Sequence, residues 1–398
     1  MAPADLVSTP TAVARAARPH PPERPSERAV AGGGPPIERI DVSAYTIPTD
    51  RPESDGTIEW DRTTIVVVEP IAAGTRGLGY SYADATAAHL VADTLARHVV
   101  GRDAWDVAGT WSVLVGAVRN LGRPGIAATA ISALDNALWD LKARLLGVSL
   151  VDLLGRARDA IPPYGSGGFC SYSDDELRDQ LGGWAGEGFR FVKMKVGRDP
   201  ASDPHRVDVA RHVIGDGTEL FVDANGAHDR VAALAAAARF AERGVTWFEE
   251  PVSSDDVDGL RLLRDRAPAG MAIAAGEYGW DQFHFRRLIE AGAVDVLQAD
   301  ATRCLGTTGF QMAAALCEAH NVPLSSHCAP ALHVHLTCAA RPAIHLEWFH
   351  DHVRIERLLF DGVTDPRDGL LAPDRTRPGV GLELRRADAE PYLTWRTE

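Results

Sequence analysis

Seven short apolar runs each end in a side chain that can move a proton or hold a cation. They are FVKMKVG (191–197), FVDANG (221–226), TWFEEP (246–251), IAAGE (273–277), VLQAD (296–300), PLSSH (323–327) and IHLEW (344–348). The polar ends are Lys193 with Lys195, Asp223, Glu249, Glu277, Asp300, His327 and Glu347. Brought to one point, Asp223, Glu249 and Glu277 repel unless a hard cation neutralises them. All-oxygen ligation selects Mg²⁺, with Mn²⁺ as the alternative, over Zn²⁺. Glu249 is chosen over Glu250 for its spacing from Asp223, and Glu250 is placed behind the ligands.

Residues i and i+2 of a strand share a face, so Lys193 goes with Lys195 and Asp223 with Asn225. Two ammonium groups so close repel, which is expected to lower the pKa of at least one and yield an amine base nearer pH 7. Asp300 and His327 end neighbouring runs, where a carboxylate can orient an imidazole and raise its basicity. Glu347, away from the cation, is expected to stay protonated and donate to a substrate carboxylate. A lone Lys-x-Lys is more often a solvated strand face, and a lone His a satisfied structural one. Seven strand ends filled in succession are not explained that way.

The runs recur roughly every 20 to 30 residues, the period of a (β/α) barrel whose chemistry sits at the strand C-termini. Eight strands are expected: PPYGSG, RFVKMKV, ELFVDAN, VTWFEEP, MAIAAGE, AVDVLQAD, VPLSSH and AIHLEW. Between them lie helical segments such as DRVAALAAAARFAERG (229–244), ending in a Gly suited to C′. The barrel is assigned to 156–360. Upstream, IERIDVSAYTIP and RTTIVVVEP read as strands and RGLGYSYA as a third. A polar loop is expected at 49–61 and helices at 83–99 and 124–146, the second with Ile131, Leu134, Leu138 and Leu141 as its apolar stripe and Asp135 and Asp140 off it. Strands then helices make an α+β domain over 37–155. Residues 361–398 are expected as coil packing back on that domain. Residues 1–36, rich in Ala, Pro and Arg, are expected to be a disordered extension without a secretory h-region.

The 398 residues carry 41 Lys plus Arg against 55 Asp plus Glu, a formal charge of −14. That balance offers no broad footprint for nucleic acid or anionic membrane, and no run has the eighteen or so apolar residues of a membrane span. Five cysteines without a CxxC pair read as reduced thiols of a cytoplasmic protein. Cys328 beside His327 has no partner at ligand spacing and is set aside as a metal ligand.

The order Lys-x-Lys, Asp-x-Asn, Glu-Glu-Pro, Gly-Glu, Asp, His, Glu resembles the mandelate-racemase-like subgroup of the enolase superfamily, its acid-sugar dehydratases included. ALDNALWDLKARLLG (133–147) resembles the helix that ends that family's capping domain. The likeness spans 37–385. It implies a (β/α)₇β barrel, a modified TIM barrel, under an N-terminal α+β capping domain, and an even-numbered homo-oligomer. It also implies Mg²⁺ on Asp223, Glu249 and Glu277, with Lys195 and His327 as bases on opposite faces of a carboxylate substrate. Lys193 tunes Lys195, Asp300 orients His327, Glu347 helps stabilise the enolate, and Asn225, Arg303 and Ser166 contact the substrate.

Such parts suit abstraction of a proton α to a carboxylate through an enediolate. The polar 49–61 segment favours a hydroxylated substrate, hence dehydration of an aldonate or aldarate to a 2-keto-3-deoxy acid. A racemase or epimerase of a 2-hydroxy acid is the alternative, and a non-catalytic carboxylate-binding relic the remote one.

Overall fold

The computed structural model describes Gly33–Thr397; the N-terminal extension expected to be disordered lies almost wholly outside these residues. The chain enters through a long hairpin, β1 (Arg39–Ser54) and β2 (Glu59–Ala72), followed by the short strands β3 (Thr75–Arg76) and β4 (Gly79–Tyr82). Val66 and Val68 face a cluster with the helices that follow, whereas Ile65 and Val67 join the cluster of the barrel. A sheet buried on both faces reads as the unbroken apolar run TTIVVV rather than as an alternation.

The segment expected as a loop at 49–61 is instead mostly ribbon. Register holds from Arg39↔Ile71 to Pro48↔Arg62, breaks at a bulge, and resumes at Glu53↔Trp60 and Ser54↔Glu59. Only 55–58 turn, and Asp55 Oδ1 closes the turn by accepting from Thr57 N at 2.6 Å and Ile58 N at 2.7 Å. The Pro, Asp and Gly content marks the bulge and the turn, not a disordered span.

Helix α1 (Thr86–Leu90) passes through a π-turn at Val91–Leu95 and a 3₁₀ turn at Ala96–His98, so the helix expected at 83–99 is broken. Helix α2 (Val107–Ala117), not foreseen, starts at Asp106, whose side chain accepts from Gly109 N. Helix α3 (Ile126–Leu146) is buried nearly all round, so its acids are not on a solvent face. Asp135 accepts from Thr308 N and Oγ1, each at 2.8 Å. Asp140 accepts from Leu78 N at 2.7 Å and Val380 N at 2.6 Å. Helix α4 (Leu150–Leu154) ends on Gly155, whose φ of 91° suits a residue without Cβ.

Eight parallel strands then close a barrel: β5 (Pro163–Gly167), β6 (Phe191–Lys195), β7 (Glu219–Asp223), β8 (Val245–Glu249), β9 (Ala272–Ala275), β10 (Val296–Ala299), β11 (Leu324–Ser326) and β12 (Ala343–Phe349), with β12 pairing β5. The intervening helices are α5 (Asp174–Gly186), α6 (Asp203–Ile214), α7 (Arg230–Ala241), α8 (Val257–Arg266), α9 (Gln282–Glu290), α10 (Gly306–His320) and α11 (Pro330–Ala339). Val192, Met194 and Val222 pack outward in the main core, which leaves Lys193, Lys195 and Asp223 to the interior. Tyr164, Phe221, Trp247, Ala274 and Val296 plug the barrel below them.

After β12 the chain forms α12 (His350–Leu359), β13 (Phe360–Asp361), β14 (Glu383–Leu384), α13 (Arg386–Ala389) and β15 (Leu393–Arg396). The tail is therefore not all coil: β15 adds to the edge of β1 through Ser43↔Arg396, Ala44↔Trp395 and Tyr45↔Leu393. Among the described residues no helix is long and apolar enough to cross a membrane.

Candidate active site

Parallel register sets neighbouring strand ends side by side, Lys195 with Asp223 and Asp223 with Glu249. Gly276 then lets the chain leave β9: its φ is 134°, and a Cβ there would lie 2.2 Å from the Gln298 carbonyl oxygen. The next residue, Glu277, completes a buried trio in which Asp223, Glu249 and Glu277 each offer an oxygen within 4.8 Å of the others. Glu277 Oε2, Asn225 Oδ1 and Glu250 Oε1 are buried without a hydrogen-bond partner. Buried carboxylates this close must be paired with cations, and an oxygen left without a hydrogen bond, such as Glu277 Oε2, is what a hard ion binds. The residues present fit Mg²⁺.

Lys193 Nζ lies 2.6 Å from Glu249 Oε1, 2.8 Å from Glu347 Oε1 and 3.6 Å from Asp223 Oδ2. Lys195 Nζ lies 2.6 Å from Asp223 Oδ2. Burial pushes the pKa of each lysine down, yet Glu249 and Glu347 for Lys193, and Asp223 for Lys195, raise both above the ordinary range. This corrects the expected lowering. Lys193 does push Lys195 down, but carboxylates from other strands outweigh it. Glu347 is corrected too. Burial pushes its pKa up, but Lys193 and His327 hold it well below the ordinary value. It is an ionised acceptor, receiving Ser166 Oγ at 2.6 Å and Cys328 N at 2.7 Å. Burial and the neighbouring Asp223 push Glu249 well up, while Asp223 is pushed up by burial and pulled down further by Lys195 and Lys193.

Across the mouth, His327 Nδ1 is 2.8 Å from Asp300 Oδ2, so Nε2 is the nitrogen left for chemistry, 3.3 Å from Glu277 Oε2. Burial pushes Asp300 up, but His327 holds it well below the carboxylate range. Arg303 Nη1 is 3.3 Å from Glu277 Oε1, and its guanidinium stacks on Tyr278. Strand β11 of His327 and β6 of Lys195 are separated by β12 and β5.

A cleft of about 360 Å³ opens over Lys195, Asn225, Glu277, Asp300, Arg303 and His327. Its other wall was not read from sequence. It comprises Ile58, Trp60, Arg62, Thr63 and Thr64 of the hairpin, with Tyr82, Tyr278, Phe349 and His352. Thr63 lines the cleft together with Trp60, Arg62 and Thr64, and EWDRTT carries no apolar alternation, so no periodic signal marks this wall in the sequence. Of Asp50, Arg51, Glu53, Ser54, Asp55, Glu59 and Asp61 in the 49–61 segment, only Asp55 reaches this cleft. Glu59 pairs with Arg198 at 3.0 Å and Asp61 with Arg62 at 2.7 Å. Cys328, set aside earlier, lies with Sγ 3.3 Å from His327 Nε2.

A polar-ended barrel beneath an antiparallel sheet domain, with three carboxylates flanked by Lys and His, defines an enzyme of the enolase type. The chain belongs to the enolase superfamily, in its mandelate racemase/muconate lactonizing enzyme branch. Residues 43–155 match the mandelate racemase/muconate lactonizing enzyme N-terminal domain, and 176–389 the enolase C-terminal domain-like family. A mandelate racemase/muconate lactonizing enzyme-like protein from Rubrobacter xylanophilus is 54% identical with a TM-score of 0.89, the match covering 90% of this chain and 100% of that one. The 3,6-anhydro-α-L-galactonate cycloisomerase of Streptomyces coelicolor is 32% identical over 88% of this chain and 98% of its own. The L-talarate/galactarate dehydratase of Salmonella typhimurium is 32% identical over 90% and 91%. Its structure with Mg and L-lyxarohydroxamate superposes with a TM-score of 0.84 at 28% identity, covering 94% of this chain and 97% of that one.

Proposed function

We propose that the protein is a Mg²⁺-dependent hydro-lyase that dehydrates an acid sugar, an aldonate or aldarate, to a 2-keto-3-deoxy acid. Residues 37–155 act as the cap and 156–360 as the catalytic barrel. Asp223, Glu249 and Glu277 would hold the ion, which when bound supplies Lewis-acid stabilisation to a substrate carboxylate losing its α-proton.

The observation that carries the reading is His327, fixed by Asp300 at 2.8 Å with Nε2 toward the cleft. As a neutral imidazole it can take a proton; as an imidazolium it can give one. Lys195, from β6, is the second proton carrier. In the dehydration the C2–H bond breaks to a base, the C3–O bond breaks as His327 protonates the leaving hydroxyl, and the C2–C3 double bond forms. Water departs, and the enol takes up a proton at C3 to give the ketone. Thr63, Thr64, Asn225 and Arg303 around the cleft serve a hydroxylated substrate, and relatives named as dehydratases support the assignment.

The apolar wall of Ile58, Trp60 and Phe349 favours a second reading, racemisation or epimerisation of a 2-hydroxy acid by the same two bases. Incubation with a panel of aldonates and aldarates in Mg²⁺, read as the semicarbazone of a 2-keto acid, separates them. Rapid racemisation of a simple 2-hydroxy acid, with no sugar acid losing water, would establish the second reading instead.

A further inference from the structure

Away from the Asp223 cluster, the hairpin and the start of α12 bring a second set of ligand atoms together. Asp50, Glu53 and His350 each offer one within 4.8 Å of the others. Asp50 and Glu53 lie three apart, a spacing that regular strand geometry would send to opposite faces. The bulge between Pro48 and Glu53 cancels that alternation. His350 Nε2 sits 3.2 Å and 3.1 Å from the two Asp50 oxygens.

Glu53 gives the cluster its meaning. It is 0% exposed, and although Oε2 accepts from Trp60 Nε1 at 2.8 Å, Oε1 has no partner. An unpartnered buried carboxyl oxygen carries a desolvation cost, and burial beside Asp351 and Asp50 pushes the Glu53 pKa up. The flanking cations are committed elsewhere. Arg354 serves the Pro48 carbonyl and Asp351, and Arg51 pairs with Glu176 at 3.0 Å. A solvent cleft reaches Asp50 and His350, with Arg354 and Arg357 also on its lining, and Glu53 lies behind it.

We propose that Asp50, Glu53 and His350 form a second metal site, distinct from the carboxylate trio, that takes a divalent transition ion of the Zn²⁺ class. Imidazole with two carboxylates favours borderline ions over Mg²⁺, and three protein ligands leave one tetrahedral position for water. The ion ties the hairpin to α12. Because Glu53 also holds Trp60, a wall of the cleft, occupancy fixes that wall.

The test is Zn²⁺ titration calorimetry on the full chain, kept in millimolar Mg²⁺. One Zn²⁺ per chain should bind. His350→Ala and Glu53→Gln should each weaken that event by at least about 10-fold, while Asp223→Asn keeps it. Co²⁺ used instead should give visible absorbance that His350→Ala abolishes. Absence of a Zn²⁺ event, or one unchanged in both His350→Ala and Glu53→Gln, overturns the site. If circular dichroism shows Glu53→Gln unfolded, the part-exposed His350 variant decides alone. The readout is binding, so its outcome is separate from that of the sugar-acid screen.

Discussion

Asn136 of α3 donates from Nδ2 to the Ala301 carbonyl at 3.0 Å, one residue beyond Asp300. Its Oδ1 accepts from Thr307 N at 2.8 Å and Thr307 Oγ1 at 2.9 Å. Ser132 takes Gly306 N at 3.0 Å, and Trp111 Nε1 donates to Leu305 O at 3.0 Å. The N-terminal domain thus holds the loop that bears Asp300 and Arg303. Asn136→Ala leaves several buried groups unpaired at about 1–3 kcal/mol each. It should lower kcat more than it raises KM, with a changed pH profile, measured by steady-state kinetics on folded protein.

Removing the cation or one of its ligands should have the same effect. Chelation abolishes activity and Mg²⁺ restores it, while Glu249→Gln reproduces the loss with an intact circular dichroism spectrum. Turnover by a metal-free preparation is the result that contradicts this.

The two proton carriers should separate in solvent exchange. His327→Asn stops turnover but leaves α-proton exchange on the Lys195 face; Lys195→Ala leaves it on the other. General acid–base groups typically contribute about 10²–10⁴-fold, so each loss is easily measured. Deuterium uptake followed by NMR, with identical patterns in both variants, would rule out catalysis on two faces.

His345 makes stability depend on pH. It is buried among Tyr164, Phe221 and Trp247, and burial, with Lys193, lowers its pKa from 6.5 to about 3. Unfolded chains take up a proton below pH 6.5 that the folded state refuses until about pH 3. Stability is therefore full above 6.5 and falls as pH falls through that window, at up to about 1.4 kcal/mol per pH unit. Urea midpoints between pH 7 and 5 should drop less steeply in His345→Asn than in the parent, whatever the variant's absolute stability.

Much of the barrel was legible because each apolar run ends in a polar residue, so the pattern marks strand and site together. The side chains brought together at the mouth, from Lys193 to Glu347, stand at those ends. Charge states were not legible. The lysines' pKa values rise and that of Glu347 falls because groups from different strands meet, and no local spacing encodes that. Helix α2 was hidden by VAGTWSVLVGA, too uniformly apolar to show a stripe. At 49–61 the turn residues were read as a loop because a bulge and a true turn share the same composition. The Asp50–His350 meeting, across the length of the chain, has no sequence signature.

The pairing of β15 with β1 joins the last described strand to the first. During synthesis the N-terminal sheet leaves the ribosome early but cannot be completed until Leu393–Arg396 emerges. Until then β1 keeps a bare edge, and an unpaired edge invites pairing with other chains. Nascent or C-terminally truncated chains therefore expose backbone at Ser43–Tyr45 that the finished molecule pairs with β15, and are more open to edge-to-edge association.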